Sequence, residues 1–526
     1  MQILLSDANN LNEIFILKFF DIDNLDKDFL FYVAILLLAS VYTFKAAFLT
    51  LFSYFQYDFL TKIKINLSEK VISIYLLKPY LFHIKTSTSK LTRNLLELKR
   101  FVIVILDSSN LFTEILVLIF ILIMLFYFEP IGALTCLLIF SAFSIFFYFT
   151  IYKNTRKWGQ ILLEYRAKTL ENINNCFRAI KEIKVFGKED FFVKKFILDS
   201  KIETETEYTK WNFMSTLPRF WLEWISISGM CFLVIVLYAI NKEIESILPT
   251  IALFGAAAFR LTPSVARIIQ NIQRIKFNYP VVENLSKEVS KSIKELKSFK
   301  NLENKKNNFS KFEKISISNL SYNYPGSEKK IINNLNYEFS KNSLIGITGE
   351  SGSGKTTLVN ILLGLLKQSN GDIKFDEVVV ENGLNVKKDF LGYVPQNIFL
   401  LDDTIKKNIA FGVPEEKIDE KKVKEVLKSA QLLKLLSQTK KGIETNIGEL
   451  GNRLSGGQIQ RIAVARALYN NPKILILDES TSALDIETET KIINELRILK
   501  KYVTIIFIAH RKSVLDKCDK ILKLND

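Results

Sequence analysis

The chain has 526 residues, 48% of them hydrophobic, with 41 Phe and a formal net charge of +16. Its four cysteines, Cys136, Cys176, Cys231 and Cys518, are far apart and form no CxxC pair, which excludes a disulfide framework and a thiolate metal site. No aromatic–basic recognition motif accompanies the positive charge, so no nucleic-acid partner is expected; basic cytoplasmic loops of a membrane protein account for it.

No secretory signal follows Met1, and the first residues are acidic (Asp7, Glu13, Asp21, Asp23, Asp26). Five segments are apolar and long enough to cross a hydrocarbon core of about 30 Å as helices: 29–54, 102–128, 131–152, 220–240 and 248–269. The loops 57–100 and 153–219 are long and rich in Lys and Arg, whereas Glu129-Pro130 and Asn241–Ser246 are short and carry only Lys242. The basic loops therefore face the cytoplasm, and so does everything after the fifth span. The expected organisation is a transmembrane domain over 1–288, a Lys-, Ser- and Asn-rich linker over 289–311, and a soluble α/β domain over 312–526. Polar turns around 85–92 and 186–190 mark the tips of the two cytoplasmic loops.

The soluble part concentrates the chemistry. Leu344–Ile347 reads as a strand, Gly349-Glu350-Ser351-Gly352-Ser353-Gly354 as a glycine-rich loop, and Lys355-Thr356-Thr357 as the start of a helix. Such a loop wraps phosphates with backbone N–H groups, Lys355 adds a charge, and Thr356 offers a hydroxyl to Mg²⁺. Asp478 ends the apolar strand Ile474–Leu477, where it can hold the magnesium shell; Glu479 follows, placed to polarise the attacking water. Gln396 after a short strand can reach both metal and water, and His510 closes another strand within reach of a γ-phosphate. Tyr324, before Pro325-Gly326, is favoured over Tyr322 for stacking on adenine. Leu454-Ser455-Gly456-Gly457-Gln458 opens a helix over 458–469 and forms a second anion site at a helix N-terminus. One domain already has its phosphate loop, so the second site serves the ATP of a partner domain. That implies a dimer, most simply of two identical chains.

From about Ile315 to Leu524 these motifs resemble the ATPase domains of ABC exporters, with Asp485 in Ser482-Ala483-Leu484-Asp485 as the D-loop. Within Thr445–Gly451, Leu450 stands where such exporters usually have Arg. The resemblance implies an α-helical exporter-type transmembrane domain followed by a P-loop ABC ATPase domain, with ATP and Mg²⁺ as ligands, in a bacterial inner membrane. The stretches Leu217-Pro218-Arg219-Phe220-Trp221-Leu222-Glu223 and Phe259–Arg267 resemble bacterial lipid-linked oligosaccharide flippases. Arg260 and Arg267, seven apart, share a helix face, and Arg219 begins the preceding helix; the three suit the anionic head group of an amphipathic lipid. The alternative is that Arg267 snorkels to the interface and Arg219 pairs with Glu223.

Exporter halves of this kind have six spans. The span lacking here would be the first, with Met1 near its outer end, so an upstream start or a truncated gene is expected ahead of a helix supplied by a partner. Other lipids, drugs or peptides are alternative cargoes. A reading of another class is a non-transporting half that regulates a complete partner.

Overall fold

The computed structural model describes residues 27–524, apart from 129, 240–243, 304–311, 377, 381–389, 440, 479–485 and 510. The chain divides into two compact units. One comprises residues up to Leu77 together with Thr86–Lys294, and the other Lys78–Lys85 together with Glu295 onward.

The first unit is helical. Helix α1 (Lys27–Leu77) stops two residues before Pro79, which lacks the N–H to continue it. The short α2 (Tyr80–Lys85) belongs to the other unit. Then follow α3 (Thr88–Leu96), capped by Ser87 Oγ accepting from Lys90 N, α4 (Leu98–Phe128) and α5 (Pro130–Arg178). Helix α6 (Ile180–Phe186) ends on Gly187 in the left-handed conformation at φ 60°, and α7 (Glu189–Thr204) passes into a π-helical turn, Glu205–Asn212. Helices α8 (Phe213–Ala239) and α9 (Ile244–Glu303) complete the unit. The five apolar segments fall on α1, α4, α5, α8 and α9. Among the described residues Phe31–Leu77 and Thr88–Tyr127 combine the length and the mean hydropathy, 1.9 and 2.4, of membrane-crossing helices.

Beyond the apolar segments, two arginines are shared among three glutamates. Arg166 on α5 donates to Glu97 (2.9 Å), Glu203 (3.1 Å) and Glu207 (2.8 Å), and Arg100 pairs with Glu97 (3.2 Å) and Glu207 (3.1 Å). Burial opposes the charge on Arg166, but hydrogen bonds and Coulomb attraction from the glutamates outweigh it and raise its pKa. Alongside, Trp211 stacks on Phe277 at 4.2 Å, and α5 meets α9 so closely that a Cβ on Gly159 would lie 2.0 Å from the Phe277 carbonyl oxygen.

The linker expectation meets a difference. Helix α9 runs to Glu303, so 289–303 is helical, and the compact units divide at Lys294/Glu295 rather than around 288–312.

The second unit has two sheets. Strands β1 (Lys314–Tyr322), β2 (Ile332–Ser340), β4 (Asn370–Phe375) and β5 (Val378–Val379) form an antiparallel sheet in the order β2-β1-β4-β5. Between β2 and β4 lie β3 (Leu344–Gly349) and α10 (Lys355–Leu362). Strands β6 (Leu391–Val394), β7 (Ile474–Asp478), β8 (Thr504–Ile508), β3 and β9 (Lys520–Leu524) form a parallel sheet in the order β6-β7-β8-β3-β9. Helices α11 (Ile405–Ile409), α12 (Glu420–Ser429), α13 (Leu433–Gln438) and α14 (Gly456–Leu468) lie between β6 and β7; α15 (Ile486–Leu499) and α16 (Lys512–Leu515) follow β7 and β8.

Strands β7 and β8 are buried throughout, as parallel strands covered on both faces must be. Their side chains alternate between two cores. Leu475, Leu477, Ile505 and Phe507 join the helical insertion, while Ile474, Ile476, Ile506 and Ile508 join β1, α10 and Leu81 of α2.

Candidate functional site

The carboxyl ends of the parallel strands share one edge, where open α/β sheets bind ligands. Pairing of Ile347 with Ile508, of Ile508 with Asp478 and of Leu477 with Val394 brings the ends of β3, β8, β7 and β6 into line. The phosphate loop, Asp478 and Gln396 therefore emerge side by side.

The loop from β3 to α10 is built around glycine. Gly352 and Gly354 adopt φ of +92° and +89°, left-handed values that other residues rarely take. At Gly349 an added Cβ would lie 2.4 Å from Leu524 O and 2.5 Å from Ser353 Oγ. Lys355 folds back over the loop, where its Nζ donates to Gly349 O (3.0 Å) and Glu350 O (2.7 Å). Ser353 is buried, and its Oγ has no hydrogen-bond partner among the described residues. A buried hydroxyl, a lysine ammonium and a helix N-terminus within one turn of chain are donors that fit a phosphate. Ser351 and Thr356 are exposed and Thr357 is buried.

Asp478 is 1% exposed at the end of β7, and Gln396 lies exposed just beyond β6. The Tyr393 hydroxyl beneath them is pushed up to about 12, first by burial and then by the charge of Asp478 and by Tyr80. Tyr324 packs edge-on against Tyr322 at 5.1 Å, with its hydroxyl 3.4 Å from Thr357 Oγ1. Tyr322 is buried and Tyr324 only partly so, which leaves Tyr324 the ring available to a base beside α10. Glu479, Asp485 and His510 lie outside the described residues.

The second anion site is a capped helix start. Ser455 Oγ accepts from Gln458 N (3.3 Å), and Gln458 Oε1 accepts from Ser455 N (2.8 Å), a reciprocal capping box. Helix α14 thus begins at Gly456, two residues before the expected start, because the cap recruits both glycines into its first turn. Leu454 is partly buried against the helical core, and Leu450 is exposed at φ 52°.

Sequence reasoning missed Arg466 at the far end of α14. It donates to Asn408 O (2.8 Å), Asn408 Oδ1 (3.0 Å) and Phe399 O (2.8 Å), and lies over the Phe411 ring. Burial lowers its pKa to about 10. It ties α14 to the segment that follows Gln396.

The family model for ABC transporters matches residues 332–482. The C-terminal unit is an ABC transporter ATPase domain. A candidate export ATP-binding/permease protein of Rickettsia typhi is 41% identical over 214 residues, 40% of this chain and 37% of that protein. An ATP-dependent lipid A-core flippase of Vibrio vulnificus is 36% identical over 215 residues, 40% of this chain and 36% of the flippase. The matched part spans little more than a third of the length of these curated relatives. A solved bacterial Atm1-family ABC exporter with ATP bound superposes with a TM-score of 0.70, covering 88% of this chain and 80% of its own at 20% identity. The chain thus has the fold of an ABC exporter half, its helices placed ahead of its ABC ATPase domain, and that domain is one that binds ATP.

In the helical unit, two of the three candidate head-group arginines have acid partners. Arg219 pairs with Glu223 at 3.1 Å, and Arg267 is held by Glu114 on α4 and Ser264. Arg260 is exposed, with no ion pair among the described residues. Glu114 was not singled out from sequence, since its pairing exists only once α4 and α9 meet.

Proposed function

We propose that the chain is one half of an ATP-driven exporter in a bacterial inner membrane, acting as a dimer with a second copy of itself. The alignment of Lys355, Gln396 and Asp478 at one sheet edge, with the capped Ser455 helix as a separate anion site, carries this reading. Two such domains facing head to tail would enclose each ATP between one phosphate loop and the partner's Ser455–Gln458 helix start. Lys355, Ser353 and the loop N–H groups bind the phosphates, and Tyr324 stacks on the base. Thr356, Gln396 and Asp478 are the residues that would hold Mg²⁺, which lends positive charge to the phosphates. Glu479 orients water, with His510 at the γ-phosphate and Asp485 crossing to the partner.

The apolar surface of α1, exposed all round and with Leu36, Leu38, Phe44 and Phe55 in the open, suits contact with lipid. The cargo is an amphipathic lipid with an anionic sugar-bearing head group, of the lipid-linked oligosaccharide kind; a lipid A-core type of lipid is the second reading, favoured by the flippase similarity. Its exposure and the absence of an ion pair among the described residues support Arg260 as the residue that meets the anion.

The test is ATP turnover in proteoliposomes titrated with a polyprenyl-pyrophosphate oligosaccharide and, separately, with lipid A-core, against Glu479→Gln protein as background. Stimulation by one lipid that Arg260→Ala abolishes supports that cargo. A rate indifferent to both sinks the lipid reading, and a rate equal to the Glu479→Gln background sinks the ATPase assignment.

A further inference from the structure

Helices α4 and α9 carry matched stripes of opposite charge. Asp107 and Glu114 lie seven residues apart on α4, two turns along one face; Arg260, Arg267 and Arg274 repeat at the same interval on α9. Asp107 Oδ1 accepts from Arg274 Nη1 at 3.3 Å. Glu114 accepts from Arg267 Nε and Nη2, and from Ser264 Oγ at 2.8 Å. A step of seven forward on α4 is thus met by a step of seven back on α9, one antiparallel register for both pairs. The next step outward would set the apolar Ile121 against Arg260.

The burial of the two sides differs. The Asp107 and Glu114 side chains are 0% and 18% exposed, whereas those of Arg274 and Arg267 are 55% and 43% exposed. The acids belong to the packed interior, and the arginines reach them from an open side. Asp107 Oδ2 has no hydrogen-bond partner among the described residues, so the deeper rung is held by a single long bond. A carboxylate within an apolar helix is stable only while a partner covers it, and a shared register makes the two rungs engage and release together.

We propose that Asp107–Arg274 and Glu114–Arg267 form a two-rung latch between α4 and α9 that opens and recloses in each transport cycle, a device that rests on the exporter reading. The guanidinium groups lie on an open side of α9, so the arginines are the partners able to leave. The acids stay in the packed interior, and this draws the helices together again.

The test uses the full chain in proteoliposomes, with the four native cysteines replaced. In this parent, Leu111→Cys and Gln270→Cys lie midway between the rungs in the same register and leave both pairs in place. Bridging them with a short, reversible thiosulfonate cross-linker should lower ATP turnover at least tenfold, and dithiothreitol should restore it. A cross-linked protein that turns over within twofold of the reduced form overturns the latch. A second measurement is independent of cross-linking. Glu114→Arg and Arg267→Glu should each lower turnover at least tenfold, and combining them should recover at least half of it; a combination no better than the single variants overturns the proposal. A parent without ATP turnover removes the exporter reading and the latch with it, whereas an active parent with an indifferent cross-link removes only the latch.

Discussion

Gly349→Ala is the sharpest test of the phosphate loop. The new Cβ would meet Leu524 O at 2.4 Å and Ser353 Oγ at 2.5 Å, and ordinary contact requires the loop to withdraw by about 0.8 Å. Leu524 O cannot give way cheaply, since it belongs to β9, which pairs with β3 at this point. The displacement therefore falls on the loop N–H groups and on Ser353. Overpacking of this kind costs about 1–3 kcal/mol of stability. A misplacement near 1 Å in a site that works by position costs about a hundredfold in rate, or ~2.7 kcal/mol of barrier. The assay is ATP turnover in nanodiscs over a range of ATP concentrations, with Gly352→Ala for comparison. That second position has nothing within 4 Å of a new Cβ but holds φ at +92°, so it isolates backbone strain from collision. Gly349→Ala should lose at least a hundredfold in turnover and Gly352→Ala clearly less. Turnover of Gly349→Ala within threefold of the parent would refute the reasoning.

Arg166→Ala leaves Glu97, 4% exposed, with Arg100 as its one remaining ion-pair partner among the described residues, and should destabilise the helical unit by about 3 kcal/mol, read as a lower thermal midpoint; Arg166→Lys should recover only part, because lysine lacks the guanidinium fork. Ser455→Ala should cost about 1 kcal/mol through the lost cap and at least tenfold in ATP turnover; a change in turnover below twofold would show that this residue only caps the helix. Arg466→Ala takes the side-chain donor from two backbone acceptors, Asn408 O and Phe399 O, while Asn408 Oδ1 keeps its bond from Leu401 N, and should cost about 1–3 kcal/mol in thermal unfolding of the ATPase unit. Tyr393 should make the ATPase unit alkali-sensitive. Its folded pKa lies above its unfolded value near 10, so stability is fully present below about pH 10 and is lost as pH rises toward 12. Tyr393→Phe should flatten that part of the pH–stability curve.

What was legible in the sequence is what short-range chemistry dictates. The glycine spacing of 349–354 and the Ser455–Gln458 cap lie within one turn of chain, and the Arg219–Glu223 pair is an i,i+4 contact on one helix. The partners of Arg267 and Arg274 were not legible, because Glu114 and Asp107 stand more than 150 residues away and meet them only through helix pairing. Arg166 and its three glutamates were hidden for the same reason. The extension of α9 to Glu303 was missed because it lacks an apolar stripe. The extension is continuous with the buried part of α9, which sequence periodicity alone does not show.

The contact between Gly159 and the Phe277 carbonyl makes one point of the helical unit behave as a pivot. Two backbones this close leave no space for one helix to slide along the other, and any side chain at 159 would force them apart. Outward of Phe277 on α9 lie Arg274 and Arg267; on its other side Glu283 pairs with Arg156 of α5 at 2.7 Å. Were α9 to rock on α5 about this point, the Arg267 arm would swing opposite to the Glu283 arm. The ratio of the arm lengths, set by residue position alone, scales how far one end travels for a given displacement of the other.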